Sequence, residues 1–436
     1  MRWSLPEGAG VMRPRAPWLL GGVLGLSLVM TVFDPAVAWR MLLISGLGLT
    51  ALCFAWARSL SLGVTISRGR RYGWAQVGDR LEEHFELRNT SSFPLLWLEI
   101  EDNSTLPGYR ARRVESLGGH SSKRWTIDTV CARRGVYRLG PMTLRLGDPF
   151  GLFEVERAYD DAETFVVYPP VSRLPRLDLP RGAASGQARV RRRALEWTTN
   201  AASVRHYVPG DELRSVHWPT SAHRDGLYVK EFELEPSGNV WVVLDLDRRV
   251  QAGRGEEATE EYAVIFAASL VNAMLAEGRA VGLAFSGEAP TLIPPNRGSE
   301  HLFRILRALA LAQTGGDLSL GDFLGRSASA FGRGLTLVLV TPAVDATWLG
   351  ALATLQRQGL AAHVVLIDRG SFEPTPGETG GVMALALRLA EVGVSLTRVA
   401  KGYRFDLIQQ GRRQGHVDYV VGATGRVIVR ESLPAR

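Results

Sequence analysis

The sequence predicts a multi-domain protein: an N-terminal transmembrane α-hairpin, a β-sandwich, and an α/β domain with a doubly wound, mostly parallel sheet. Two apolar runs without charge, residues 16–33 and 41–57, predict the hairpin. Short alternating segments separated by turn residues predict the sandwich. A regular alternation of apolar strands with helices after residue 240 predicts the α/β domain.

Each apolar run is just long enough to cross a bilayer as a helix, which takes about 17–25 residues. Trp39 and Trp56 flank the second run, and tryptophan is enriched at membrane interfaces. A cleaved signal peptide is the alternative for the first run, because residues 36–38 read Ala-Val-Ala. The second run favours a hairpin instead, with residues 1–15 as the N-terminal segment and residues 16–57 as the two transmembrane helices.

The arginines near the hairpin predict its orientation. Positive charge collects on the cytoplasmic side of membrane helices, and only Arg40 lies near the connecting turn. The sequence therefore predicts a multi-pass protein of the cell membrane, with both termini and the soluble domains in the cytoplasm. The arginines outside the turn are Arg2, Arg13 and Arg15 before the hairpin, and Arg58, Arg68, Arg70 and Arg71 after it.

Residues 62–170 are predicted to form the β-sandwich, because several short strands without a long helix are typical of that fold. The predicted strands are residues 80–87, 95–101, 124–130, 135–145 and 164–168. Residues 171–203 follow as a basic linker rich in Pro, Gly, Ala and Arg. Its cluster at residues 189–193 is either a solvated loop or a contact for anionic lipid head groups.

Residues 236–400 are predicted to form the α/β domain, followed by a C-terminal extension at residues 401–436. Apolar, β-branched strands that alternate with helices indicate a parallel sheet with both faces covered. The predicted strands are residues 240–246, 280–285, 335–341, 361–367 and 394–399, and the predicted helices are residues 257–277, 299–313, 346–358 and 382–391.

Residues 204–235 are the most distinctive part of the chain. A Pro-Gly-Asp turn is followed by a predicted short helix at residues 212–218, capped by Asp211, and by a predicted strand at residues 227–234. The aromatic residues and arginines of this signature block suit protein binding. Its candidate interaction residues are Arg205, Tyr207, Pro209, Gly210, Asp211, Arg214, Trp218, Lys230 and Phe232.

This block resembles the signature of the bacterial "domain of unknown function 58" family. The matching pattern is Arg-x-Tyr-x-Pro-Gly-Asp-x-x-Arg-x-x-x-Trp from residue 205, then Ser-Ala at 221 and Val-Lys-Glu-Phe-Glu at 229. The resemblance implies a membrane-anchored relative of von Willebrand factor A modules, which is often encoded beside a MoxR-type AAA+ ATPase. It therefore implies a von Willebrand factor A-like fold for the α/β domain and that ATPase as a partner.

The resemblance also implies a candidate metal site after the first strand of the α/β domain. Metal-binding von Willebrand factor A modules carry Asp-x-Ser-x-Ser there, and Mg²⁺ prefers such oxygen ligands. Here Asp245 matches, while Asp247 and Arg249 replace the serines. Thr314 is the candidate second-loop ligand, and Asp345 a substitute for a later aspartate that Thr341 replaces. Either Asp245, Asp247 and Thr314 bind Mg²⁺, or the aspartates form an ion pair with Arg248 or Arg249.

Three histidines in the signature block, His206, His217 and His223, leave a hydrolase as a second alternative. Their spacing fits no helix-borne ligand motif. The arginine excess over only three lysines raises a nucleic-acid binder as a third, but neither a zinc-finger spacing nor an RNA-binding signature supports it, and no nucleic-acid partner is predicted.

The sequence contains no Walker A motif. The protein is therefore not expected to hydrolyse nucleotide itself. With the partner that the resemblance implies, the predicted function is that of a membrane-anchored, non-enzymatic adaptor that works with a MoxR-type ATPase in the assembly or maturation of other proteins. The predicted alternatives are a Mg²⁺-dependent binding module for acidic ligands and the hydrolase. Beyond the possible Mg²⁺, no cofactor is predicted.

Overall fold

The computed structural model describes residues 2–4, 10–15, 17–34, 36–175, 177, 201–208, 216–224, 226–232, 239–332, 334–373, 378–408, 417–421 and 427–431. The chain divides into two compact units, Met1–Pro169 and Pro170–Arg436. The linker cluster at residues 189–193 and the turn at residues 209–211 lie outside the described residues.

The first unit begins with two apolar helices, α1 (Pro17–Phe33) and α2 (Val37–Gly63). Among the described residues, α2 is the helix that is long and apolar enough to cross a membrane, and α1 is a shorter apolar helix. Most large apolar side chains along both helices are exposed. They contact each other where Leu24 lies over Gly46, since a Cβ at Gly46 would be 2.9 Å from the Leu24 side chain.

The strands of the first unit form three sheets. Their orders are β1-β3-β5-β8, β2-β11-β10-β6-β7 and β4-β12-β9. The strands are β1 (Arg2–Ser4), β2 (Val11–Pro14), β3 (Val64–Arg70), β4 (Trp74–Gln76), β5 (Arg80–Asn89), β6 (Leu95–Asp102), β7 (Arg113–Leu117), β8 (Ser121–Val130), β9 (Gly135–Leu139), β10 (Met142–Gly147), β11 (Phe153–Tyr159) and β12 (Glu163–Tyr168).

The two larger sheets share one hydrophobic core, to which β5 contributes Phe85 and β10 contributes Leu144. Side chains that alternate along a strand bury one face and expose the other, which explains the burial pattern of β5. Ala57 and Leu60 of α2 belong to the same core, so the helix continues directly into the β domain. The prediction of a single strand over residues 135–145 is wrong, because Gly140-Pro141 separates β9 from β10 and proline lacks the N–H that a ladder needs.

The second unit contains β13 to β24 and seven α-helices among its described residues. The strands are β13 (Ser172–Arg173), β14 (Ala201–His206), β15 (Tyr228–Phe232), β16 (Val240–Leu244), β17 (Val281–Phe285), β18 (Thr291–Asn296), β19 (Thr336–Thr341), β20 (Ala361–Ile367), β21 (Ser395–Val399), β22 (Asp406–Leu407), β23 (Val417–Val421) and β24 (Val427–Glu431). The helices are α3 (Trp218–His223), α4 (Thr259–Ala276), α5 (Ser299–Leu311), α6 (Leu320–Phe331), α7 (Leu349–Arg357), α8 (Arg369–Phe372) and α9 (Glu378–Glu391).

A six-stranded sheet organises this unit, in the order β18-β17-β16-β19-β20-β21. Counted along the chain this is order 3-2-1-4-5-6, the doubly wound arrangement. All neighbours pair in parallel except β17 and β18, which pair antiparallel at one edge. Every residue of β16, β17 and β19 is buried, so the predicted mostly parallel, doubly wound sheet is present.

The predicted helix over residues 212–218 is wrong at its carboxyl end. Val216 instead forms an antiparallel bridge with Val229, and α3 begins two residues later at Trp218. Pro219 at the second helical position favours this start, because its missing N–H has no partner in the first turn of a helix.

Candidate functional site at the sheet edge

The candidate site lies where β16, β17 and β19 end side by side. Ligands of open α/β sheets bind beyond the carboxyl ends of the strands, next to the point where strand order reverses. The chain leaves β16 through Asp245, Leu246 and Asp247, and it leaves β17 through Ser286. The Ser286 hydroxyl accepts a hydrogen bond from the Leu246 N–H at 3.1 Å, which ties the ends of the two strands together.

Asp245 is the buried centre of this edge, with 1% of its surface exposed. The Thr341 hydroxyl, at the end of β19, donates to its Oδ2 at 2.7 Å, and the Asp247 N–H donates to its Oδ1 at 3.2 Å. Burial raises the pKa of Asp245 to about 6, and the carboxylates of Asp247 and Asp345 add to the effect, although both hydrogen bonds oppose it.

Asp247 forms the ion pair that was one of the two predicted arrangements, and its partner is Arg249. The Arg249 Nε donates to Oδ1 at 3.0 Å and to Oδ2 at 3.1 Å, and its Nη2 donates to Oδ2 at 2.6 Å. Burial alone would raise the pKa of Asp247, but the hydrogen bonds and charge of Arg249 lower it below its usual value. A two-forked pair of this kind fixes the geometry of the loop.

The loop that carries Thr314 lies against the same edge. The Gly315 N–H donates to the Leu246 carbonyl at 3.2 Å, and the Glu288 N–H donates to the Gln313 carbonyl at 3.4 Å. The structure therefore places the loop that carries Thr314 beside the segment from Asp245 to Asp247.

As folded, these residues do not fit Mg²⁺. All four carboxylate oxygens of Asp245 and Asp247 already accept hydrogen bonds, and a guanidinium occupies the position beside Asp247. Among the described residues, no group of three or more His, Cys, Asp or Glu side chains is placed to hold a metal. A divalent cation would have to displace Arg249 and overcome its charge.

We expect that Arg249→Ser gains affinity for Mg²⁺ over the unaltered chain, because it frees the Asp247 carboxylate and removes the competing charge. The measurement is isothermal titration calorimetry of both proteins with MgCl₂, with Mn²⁺ as a second probe. Arg357→Ser, which changes an exposed arginine of α7, is the matched control. Equal Mg²⁺ affinity in the unaltered chain and in Arg249→Ser would show that the ion pair does not exclude the cation.

The edge also presents cations to solvent. The Arg248 side chain is 72% exposed and is 3.5 Å from the Asp317 carboxylate, which is itself exposed. The Arg249 side chain remains 54% exposed while Asp247 holds it, and its Nη2 also donates to the Asp317 carbonyl at 3.1 Å. The result is a pair of adjacent arginines, one of them rigidly placed, that can receive an acidic group.

The signature block lies elsewhere in the second unit, on an antiparallel pair of strands. β14 pairs with β15, so Arg205 lies opposite Val229 and Val204 opposite Lys230. Trp218 begins α3, and its side chain is exposed. Phe232 lies in β15 opposite Ala201, and the Tyr207 N–H donates to the Leu227 carbonyl at 2.8 Å. Pro209, Gly210, Asp211 and Arg214 lie outside the described residues.

The three histidines of the block serve separate purposes. The His206 ring lies 4.3 Å from the Tyr228 ring and shares a 2.9 Å hydrogen bond with its hydroxyl. His217 caps α3, because its Nδ1 accepts from the Thr220 N–H at 3.3 Å. His223 is exposed in the last turn of α3. The described geometry thus assigns His206 and His217 local structural contacts.

Sequence reasoning missed the role of Thr341. In the sequence, Thr341 stands where metal-binding von Willebrand factor A modules carry a later aspartate. In the structure, its hydroxyl donates to the Asp245 carboxylate. The position of Thr341 could have indicated this contact. Thr341 ends β19, the buried strand next to β16 in the sheet, and residues at the carboxyl ends of adjacent parallel strands lie close together.

The fold and the site define a class of protein: apolar N-terminal helices, a mostly antiparallel β domain, and a doubly wound sheet with an Asp-x-Asp-Arg-Arg loop at its carboxyl edge. Residues 203–373 match the family described as "Protein of unknown function DUF58". The match includes the whole signature block, residues 204–235, and supports the resemblance stated from the sequence.

Two relatives extend the similarity. The chain is 32% identical over 249 residues to the uncharacterized protein YeaD of Bacillus subtilis, covering 54% of this chain and 59% of that one. It is 25% identical over 197 residues to the uncharacterized protein Rv1480 of Mycobacterium tuberculosis, covering 44% and 60%. The aligned part therefore spans about three fifths of the length of these relatives.

Among solved structures, a von Willebrand factor type A protein from Catenulispora acidiphila is similar at 12% identity. It aligns with 38% of this chain and 39% of its own length, with a TM-score of 0.24. A likeness this weak carries no weight for the fold, which rests on the strand order described above.

Proposed function

We propose that this protein is a membrane-anchored, non-enzymatic adaptor with a von Willebrand factor A-like domain. In this proposal it works with a MoxR-type AAA+ ATPase in the assembly or maturation of other proteins. The observation that carries the proposal is the pair of exposed arginines, Arg248 and Arg249, at the carboxyl edge of the doubly wound sheet, where the Asp247 carboxylate holds Arg249 in place. The ATPase itself is suggested by the family resemblance.

The apolar helices support the membrane anchor. α2 is long and apolar enough to span a bilayer, and α1 lies beside it with its large apolar side chains exposed. Exposed apolar side chains are unfavourable in water, whereas in a bilayer they contact the lipid acyl chains. We propose that α1 and α2 cross the membrane as a hairpin. The arginines that precede and follow the hairpin along the chain then place the termini and both soluble domains in the cytoplasm.

The arginine pair supports an acidic partner surface. Arginine is enriched at interface hot spots, and its planar fork recognises carboxylates in a fixed geometry. Arg249 is already ordered by Asp247, so little conformational entropy is lost when a partner binds it. We propose that a carboxylate of the ATPase binds to Arg248 and Arg249, without a bridging metal.

We expect the detergent-solubilised full chain to recover an AAA+ ATPase from a lysate of the source organism, equally with Mg²⁺ and with EDTA. The double variant Arg248→Glu/Arg249→Glu should recover at least about tenfold less, because a reversed charge in a polar contact costs more than about 1.4 kcal/mol. The measurement is quantitative mass spectrometry of the bound fraction, with the ATPase then purified and its affinity measured directly.

Arg357→Glu is the matched control, since it reverses an exposed arginine at the last turn of α7, on the opposite edge of the sheet. Recovery of the ATPase by the Asp245→Ala variant, with Mg²⁺ and with EDTA, is measured in the same way. Recovery that requires both Mg²⁺ and Asp245 would support the metal-dependent binding module instead. If neither condition recovers an ATPase, the proposed partner is wrong.

A further inference from the structure

The helix α2 and the β domain form one body, so the depth of the helix in a bilayer fixes which loops of the domain reach the lipid. Ala57 and Leu60 pack in the core of the β domain. The Gly63 carbonyl accepts from the Thr90 N–H at 2.9 Å, and the Val64 carbonyl accepts from the Arg157 guanidinium at 2.9 Å. No linker separates the helix from the domain.

The aromatic and charged residues of α2 define its depth. From Trp39 to Phe54 the helix rises ~22 Å, and from Trp39 to Arg58 it rises ~28 Å. With Trp39 at one interface of a hydrocarbon core ~30 Å thick, Phe54 lies just inside the opposite boundary and the exposed Arg58 lies among the head groups.

The loop between β10 and β11 lies at this same depth. Phe153, which ends the loop, packs edge-on against Phe54 with ring centroids 5.7 Å apart. On its other side, the Arg15 N–H donates to the Leu152 carbonyl at 3.0 Å, only two residues before α1 begins at Pro17. The loop therefore contacts the domain-side ends of both helices.

The loop exposes an aromatic ring in a fixed conformation. The fully buried Asp148 accepts from the Phe150 N–H at 2.9 Å and from the Phe153 N–H at 2.6 Å. Gly151 completes the turn with φ at +71°, which favours glycine. The Phe150 ring is 64% exposed. The turn therefore holds this aromatic ring in solvent in one fixed conformation.

Other residues near the domain-side end of α2 also suit a lipid surface. Leu96, in β6, is exposed, and Trp56 packs on Phe93 with its Nε1 donating to the Pro94 carbonyl at 3.1 Å. Arg15 and Arg58 are exposed at the domain-side ends of α1 and α2. Aromatic rings with flanking arginines are the composition of a membrane interface that carries anionic head groups.

We propose that the Asp148–Phe153 loop is a second membrane contact, in which Phe150 inserts into the interfacial region of an anionic bilayer beside α1 and α2. The loop then limits the tilt of the body formed by α2 and the β domain relative to the membrane, because transmembrane helices alone tilt over a range of about 0–40°. This inference rests on the proposed membrane anchor.

The test uses the full chain in vesicles of phosphatidylcholine and phosphatidylglycerol, with a nitroxide spin label on Phe150→Cys. Val130→Cys is the matched control. Val130 is also half exposed. It pairs with Arg80 at one end of β5, whereas Asn89 at the other end of β5 pairs with Val64, directly after the end of α2. The nine-residue step along β5 from Asn89 to Arg80 spans ~30 Å, so Val130 lies far from the end of α2. Cys53 and Cys131 are buried, and label uptake by the unaltered chain checks that they do not react.

Accessibility to oxygen and to a water-soluble nickel chelate reports depth. We expect the oxygen-to-nickel ratio to be several-fold higher at position 150 than at position 130. A label at Leu96→Cys should become more accessible to nickel when Phe150→Asp is added. Flotation of the vesicles tests the anchor separately. Failure to float would overturn the proposed anchor, whereas flotation with equal ratios at positions 150 and 130 would overturn only the loop contact.

Discussion

Replacing Arg68 by alanine is expected to destabilise the β domain by about 3–5 kcal/mol, because it leaves buried carboxylates without a counter-charge. The Arg68 Nε donates to both Glu83 oxygens at 3.1 and 3.0 Å, and its Nη1 donates to Asp102 at 3.1 Å. Glu83 and Asp102 are almost completely buried. The Tyr109 hydroxyl also donates to Glu83, but as a neutral group it cannot replace the guanidinium charge.

Hydrogen exchange of the full chain in detergent is the measurement, read on peptides that cover β3 and β5, the strands that carry Arg68 and Glu83. Arg88→Ala is the matched control, because Arg88 lies in β5, the strand that carries Glu83. Its ion pair with Glu86 is 3.4 Å long and solvent-exposed, so its loss should cost less than about 1 kcal/mol. Equal protection losses in the two variants would show that the buried network contributes no more than a surface pair.

The parts of the fold that followed from the sequence are those where burial decides the pattern. Residues 361–367 were predicted as a strand, and β20 has those bounds. Central strands of a parallel sheet are apolar on both faces, so their ends are marked by the first polar residue or glycine. The predicted mostly parallel sheet followed from the repetition of such strands.

The missed elements have local reasons. β18 contains Pro294 and Pro295, which argue against a strand except at a sheet edge, where β18 lies. α6 has glycine and serine within its span, but Ser319 accepts from the Asp322 N–H at 3.2 Å. This Ser-x-x-Asp capping signal was readable in the sequence.

The candidate site was predictable in its location and only partly in its bonding. Asp245 and Asp247 follow a buried strand, and the ion pair of Asp247 with Arg249 spans two residues. The hydrogen bond from Thr341 to Asp245 joins residues 96 positions apart. A contact of that separation depends on which strands are neighbours, which local periodicity does not report.

Replacing Asp245 by asparagine is expected to stabilise the second unit by up to about 3 kcal/mol near pH 7.5. Burial raises the pKa of Asp245 from 3.8 to about 6, so the folded state binds a proton more tightly than the unfolded state. The free energy of unfolding therefore rises as the pH falls through about 6 toward 4, and the ionised carboxylate lowers it above that window by about 3 kcal/mol in total. The asparagine carbonyl oxygen can accept from the Asp247 N–H, and its NH₂ group can donate to the Thr341 hydroxyl oxygen, without the buried charge.

The pH dependence separates this cause from better packing. Between pH 7.5 and pH 5, the advantage of Asp245→Asn over the unaltered chain should shrink by about 1.4 kcal/mol, because the unaltered carboxyl takes up its proton. Urea unfolding of both proteins at the two pH values measures it, with Asp322→Asn as the control for an exposed carboxylate. An advantage that stays constant with pH would contradict a buried ionised Asp245. A carboxylate that costs stability at neutral pH, at the edge where ligands bind, is the expected signature of a residue kept for function.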